Sequence, residues 1–308
     1  MKRKAISLIT LVVVLTILLI DFDDGEKQNE SALLFPELKA ALESVSEIEI
    51  SGGSSESGVT IVNQSRIWTV KEKSSYPADF KTLFELLRNI ADLRVVEWKT
   101  AKAENHEGLG LADEGQSMGI TVSVTADKTY KLIVGQLSQS RGTFVRKPGE
   151  DQVYLVGQTL DVSADPIDYL DPVFISLDTS EVERVVIRTK DALLEAVRDE
   201  TTKKMTIRNV PEDAELRYDS VADSLARIFI NLRFNNVEPY RPELFSNPTE
   251  TIVTTKSGEK KTIRSENING VFWVQSGEEW QYEVSEFTFD QLNKSMQDML
   301  KSESDDEE

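Results

Sequence analysis

A single histidine, His106, sits between Asn105 and Glu107. Any Ser–His–Asp triad has to use it, and zinc motifs that need two histidines from one chain are excluded. Its polar neighbours predict a solvated loop. Cysteine is absent. That removes disulfides, thiolate metal sites, a thiol nucleophile and a lipidated cysteine. Asp and Glu total 54. Glycoside hydrolysis needs two carboxyls roughly 5–9.5 Å apart across a sugar, and so large a surplus supplies candidates everywhere without singling out a pair. Neither a P-loop nor a G-x-S-x-G elbow occurs, while a Ser–Lys dyad leaves little local signature. No catalytic residue, metal ligand or cofactor is assigned, and the chain reads as non-enzymatic. A formal net charge of −19 is a poor basis for meeting nucleic-acid phosphates.

Recognition is the remaining chemistry. Trp68, Trp98, Trp273 and Trp280, with Tyr154 and Tyr282, fall in strand patterns, where aromatic rings ordinarily pack across strands. Trp273, Trp280 and Tyr282 belong to one hairpin and are the candidate binding face, for an envelope polymer or a small ligand.

The elements that must position these residues occur twice. Gly142 to Val156, GTFVRKPGEDQVYLV, reads as a hairpin, and it returns at Gly270 to Val284 as GVFWVQSGEEWQYEV. On that alignment Val145 becomes Trp273 and Gln152 becomes Trp280. Upstream, Asp79 is a good N-cap for a helix whose Phe80, Leu83, Phe84, Leu87 and Ile90 recur at three and four residues. That spacing predicts one buried stripe. In the second half Ser220 takes the place of Asp79, with Val221, Leu225, Ile228, Phe229 and Leu232 facing inward. Alternating strands flank both helices. Asp290 to Leu300 is expected as a final short helix. The predicted fold is α+β: two tandem copies of a mainly antiparallel sheet unit, each with one packed helix, over 35–172 and 173–300. SESDDEE at the C-terminus is expected as a disordered acidic tail over 301–308.

At the N-terminus Lys2-Arg3-Lys4 precedes the apolar run Ala5 to Ile20, and Asp21-Phe22-Asp23-Asp24 follows. This charge step predicts a transmembrane helix over 1–20 with a cytoplasmic N-terminus. The run is slightly short of the roughly 20 residues of a full span, and Phe22 and a snorkelling Lys4 extend it. A cleaved signal peptide is the alternative, although no small-x-small cleavage site is present. A polar tether over 21–34 then leads to an extracytoplasmic body.

Tyr76-Pro77-Ala78-Asp79 with its helix, Val95-Val96-Glu97, Leu109-Gly110-Leu111, Gly135, Thr143 to Arg146 and Gln152 to Val156 together resemble the bacterial domain-of-unknown-function family numbered 4340. The resemblance extends over nearly the whole chain, most clearly Phe35 to Asp171. A proline expected soon after Leu111 is missing from Ala112-Asp113-Glu114. The resemblance implies a singly anchored envelope component, often encoded beside ABC-type transporter parts similar to gliding-motility systems. It implies no catalytic residues. The expected function is therefore an accessory protein that binds a membrane partner, an ABC-type permease or another envelope complex.

Overall fold

The computed structural model describes residues 32–53, 58–113, 118–139 and 142–301. The expected anchor over Ala5–Ile20 and residues 302–308 of the expected acidic tail lie outside the described residues. No helix among the described residues is long and apolar enough to cross a membrane. The architecture is α+β, dominated by antiparallel sheet.

A short helix α1 (Leu38–Ala41) leads into the first sheet. Its strands are β1 (Glu47–Gly52), β2 (Val59–Gln64), β3 (Ile67–Val70), β4 (Tyr76–Pro77), β5 (Val95–Trp98), β6 (Ile120–Thr125), β7 (Thr129–Leu137), β8 (Thr143–Arg146) and β9 (Val153–Val156). Their order across the sheet is β4-β3-β2-β1-β6-β7-β8-β9-β5. Because β4 and β5 are consecutive in the chain yet lie at opposite edges, helix α2 (Phe80–Ala91) must cross the whole face between them. Alternation along the strands puts Ile48, Ile50, Ile61, Val122, Val124, Leu132 and Val145 into the core on that face.

Then β10 (Val173–Ile175) pairs with β14 (Leu232–Arg233) as a small separate sheet. The second large sheet contains β11 (Val182–Arg188), β12 (Leu193–Arg198), β13 (Met205–Ile207), β15 (Asn236–Pro239), β16 (Thr249–Thr255), β17 (Lys260–Ile268), β18 (Val271–Ser276) and β19 (Trp280–Glu283). Its order is β13-β12-β11-β16-β17-β18-β19-β15. Apart from β4, this is the order of the first sheet strand for strand. Helix α3 (Asp223–Arg227) lies between its two edge strands in sequence, as α2 does in the first. The C-terminal helix α4 (Glu286–Leu292) also packs there. Leu292 is fully buried and its carbonyl accepts from Thr251 Oγ1 at 2.6 Å.

Three expectations are corrected in detail. The two hairpins do not align at a constant offset. Val145 lies opposite Tyr154, whereas Val274 lies opposite Tyr282, so the second hairpin is one residue shorter. The counterpart of Val145 is Val274, and Trp273 answers to Phe144. Gly142, at φ +98°, would place a Cβ 2.0 Å from the Val156 carbonyl oxygen, whereas Gly270 sits in open space after Asn269. In the corrected register Gly142 answers to Val271, so the two glycines are not equivalent positions. Second, Ser220 does not cap α3 with its side chain: only its carbonyl takes part, accepting from Asp223 N at 3.1 Å. Third, the last helix lies earlier than expected: it is capped by Ser285, whose hydroxyl accepts from Thr288 N at 3.2 Å, and it ends at Leu292, with only a 3-10 turn at Gln297–Met299 beyond.

An aromatic seam joins the two halves. The Tyr76 ring meets Phe234, Trp280 and Tyr282 edge-on at 5.5, 5.0 and 6.4 Å. Burial, and then the neighbouring Tyr282, push the Tyr76 hydroxyl well above the ordinary tyrosine range. Lys73 Nζ donates to Asn236 Oδ1 across the same seam at 2.8 Å.

Candidate functional site

Helix α2 begins as the sequence predicts. Asp79 accepts from Lys81 N at 3.0 Å and from Thr82 Oγ1 at 2.6 Å, which satisfies a free donor of the first turn. Its apolar stripe is then divided. Leu83, Leu87 and Ile90 enter the core together with Leu86, each contributing roughly 1.5–3 kcal/mol of burial. Phe80 and Phe84 do not. They are 65% and 50% exposed, and their rings stack on each other at 6.1 Å with an interplanar angle of 22°. Helical spacing fixes which side chains share a side. It does not fix how far the neighbouring elements reach over them, and here Phe80 and Phe84 stay largely uncovered.

Beside the two rings lies a groove of ≈ 340 Å³. Trp68 of β3 and Leu83 and Leu87 of α2 line it, with Leu42 and Val45 from the segment leading into β1. Arg66 and Arg88 stand on its rim with Glu43 and Asn63. The β2–β3 hairpin presents Arg66. Gln64 pairs with Ile67, so Ser65 and Arg66 alone make the turn, and both have positive φ, 54° and 71°. Such a turn ordinarily carries Asn-Gly. Arg66 has no ion pair or side-chain hydrogen bond with another described residue. Among the described residues Arg88 reaches only Asp92, at 3.9 Å, and that carboxylate already accepts from Lys39 at 2.7 Å. The Lys39 ammonium holds the Asp92 carboxyl below its usual range.

Trp273, Trp280 and Tyr282 do not form one open face. Trp273 is opposite Glu283 and Tyr282 is opposite Val274, so alternation sends Trp273 to one side of the sheet and Trp280 with Tyr282 to the other. Trp273 and Tyr282 are 8% and 6% exposed. Tyr282 stacks on Phe174 at 4.5 Å, and half-buried Trp280 faces Tyr76 in the seam. The exposed tryptophan is Trp98, on the edge strand β5 and edge-on to Tyr154 at 5.2 Å.

His106 is buried, which corrects the expectation of a solvated loop. Part of the connection between β5 and β6 folds over the outer face of the first sheet, where Leu111, Ile133 and Val153 make a small second core. His106 Nε2 lies 2.9 Å from the Asp151 carbonyl. Arg146, also buried, donates to Leu111 O at 2.9 Å, to Asp113 Oδ1 at 2.6 Å and to Glu150 O at 3.3 Å. Both side chains fasten this connection to the β8–β9 turn. A cavity of ≈ 400 Å³ flanks α2, lined by Glu85, Asp161 and Asp168 together with Leu86 and Leu160. Tyr169 is part of its wall, donating to Ser163 O at 2.8 Å, and burial pushes its hydroxyl up to about 12. Among the described residues no cluster of three or more His, Asp or Glu side chains is arranged to hold a metal.

The family model described as "Domain of unknown function (DUF4340)" matches residues 68–251. This is more than half of the chain. The chain belongs to the DUF4340 family. The matched region runs from β3 into β16, so in this DUF4340 protein it takes in parts of both sheets, as well as Trp68, Phe80, Phe84 and Arg88 of the groove. No curated protein and no solved structure matches the chain significantly.

Proposed function

We propose that this DUF4340 protein is a membrane-anchored accessory protein that works by binding. Two repeated α+β units are held outside the cytoplasm beside a membrane complex such as an ABC-type permease. The anchor is supported by the basic, apolar and acidic order of residues 2–24. The repeat is supported by the strand order common to the two large sheets. Anchoring keeps the body at a high effective concentration next to a partner in the same membrane.

The observation that carries the binding role is the Phe80–Phe84 pair. Two stacked rings at half exposure or more, next to a groove floored by Trp68, Leu83 and Leu87, leave apolar surface uncovered. Concave apolar surface with a few polar groups on its rim is the usual form of a recognition site. An envelope polymer or small ligand is the second reading, favoured by that same concavity.

The test is crosslinking of the full-length chain in its own membranes, gentle solubilisation and affinity purification. Recovery of a permease subunit is expected, with Phe80→Ser/Phe84→Ser reducing it at least tenfold. Recovery of the free monomer alone defeats the accessory role. Capture on cell-wall material that depends on the same two phenylalanines establishes the second reading instead.

A further inference from the structure

We infer that the groove beside Phe80 and Phe84 receives an apolar segment of the membrane partner that carries carboxylates on its flanks. This rests on the accessory reading and names its docking site. The argument is one of charge. Acidic residues outnumber basic ones, 54 to 35, so most cations here have carboxylates to choose from. Arg66 has taken none among the described residues, and Arg88 has a distant share of one already bound to Lys39. Both guanidinium groups stand on the rim of the same apolar groove, where the one carboxylate, Glu43, pairs with neither of them. Arg66 is held there by a two-residue turn in which neither residue is glycine although both have positive φ. Guanidinium is suited to fork onto a carboxylate, and a partner must supply those carboxylates. The concave floor takes side chains projecting from one face of a segment, as when an amphipathic helix lies in a groove. A flat lipid surface does not use such a floor.

The test uses full-length chain in nanodiscs of zwitterionic lipid and two labelled amphipathic peptides. They share one Leu/Phe face and are flanked either by glutamates or by lysines. Anisotropy should show the glutamate peptide binding about tenfold more tightly, two exposed ion pairs' worth, with the preference shrinking as salt rises. Arg66→Glu/Arg88→Glu should reverse the preference while leaving the circular dichroism unchanged. Phe80→Ser/Phe84→Ser should abolish binding of both peptides. Equal affinity for the two peptides, or binding that survives loss of both phenylalanines, overturns the inference. So does association with phosphatidylglycerol vesicles that needs these four residues while neither peptide binds. Crosslinking separates the two levels. A permease complex that persists in Arg66→Glu/Arg88→Glu keeps the accessory role and removes the groove from it. A peptide preference with no complex recovered from the native chain does the reverse.

Discussion

Helix α2 and the helical segment around α3 hold the same place in two sheets of the same strand order, yet they use their apolar residues differently. Around α3, Val221, Leu225, Ile228, Phe229 and Leu232 are all buried. On α2, an equally regular stripe sends Leu83, Leu87 and Ile90 inward and leaves Phe80 and Phe84 outside. The first pattern is the ordinary outcome of an amphipathic element on a sheet. The second leaves two large rings in water, where they gain nothing from the core. That asymmetry between sheets of the same strand order is what the proposed recognition surface beside Phe80 and Phe84 rests on.

The sharpest way to break the comparison is to delete one ring from each side. Phe229→Ala should cost about 3–5 kcal/mol, because a fully buried ring leaves a cavity. Phe84→Ala should change stability by less than about 1 kcal/mol. Thermal or urea unfolding of the full-length chain measures both. A comparable loss at Phe84 would mean that it is a core residue after all, and the groove would lose its main support.

A smaller contrast lies at the helix starts. Asp79→Ala removes a side chain that accepts two hydrogen bonds and should cost about 1 kcal/mol. Ser220→Ala should cost less than about 0.5 kcal/mol, because only its main-chain carbonyl supports the turn into α3. Equal losses at the two positions would restore the equivalence that the sequence suggests and the structure denies.

The strands were legible because half-buried strands alternate and turns carry Gly, Asn and Asp. The sheet edges were not. Nothing local to Val95–Trp98 says that it pairs with β9 rather than with its neighbour in sequence, and that pairing is what sends α2 across the face. Tryptophan and tyrosine are conspicuous, which is why the sequence points to Trp273, Trp280 and Tyr282 as a binding face. Alternation within the hairpin could have warned that Trp273 and Tyr282 face opposite ways. The burial of His106 was invisible from its polar neighbours, because it depends on the connection folding back over Ile133 and Val153. The sequence places Phe80 and Phe84 on the right helix and in the right register, but on the wrong side of the boundary between core and solvent. Only the tertiary packing around the helix decides that boundary.

The finest contrast concerns the hairpin that presents Arg66. In the second unit the corresponding hairpin turns over a longer loop. There the Asp199 carboxylate accepts from Thr201 N at 3.0 Å and from Thr202 N at 2.7 Å. Those donors, Thr202 N first, hold its carboxyl below the usual range, and the turn closes on its own hydrogen bonds. In the first unit Ser65 and Arg66 make the turn at φ 54° and 71°, where side chains with a Cβ are strained. Ser65→Asn/Arg66→Gly supplies the sequence this turn favours and should stabilise the chain by roughly 0.5–1 kcal/mol. It should also remove a substantial part of the preference for the glutamate-flanked peptide. Ser65→Asn alone relieves part of the strain, keeps the guanidinium and should leave that preference intact. If the double variant is more stable and still discriminates between the peptides as the native chain does, Arg66 is not why the strain is tolerated. The charge on the groove would then rest on Arg88 alone.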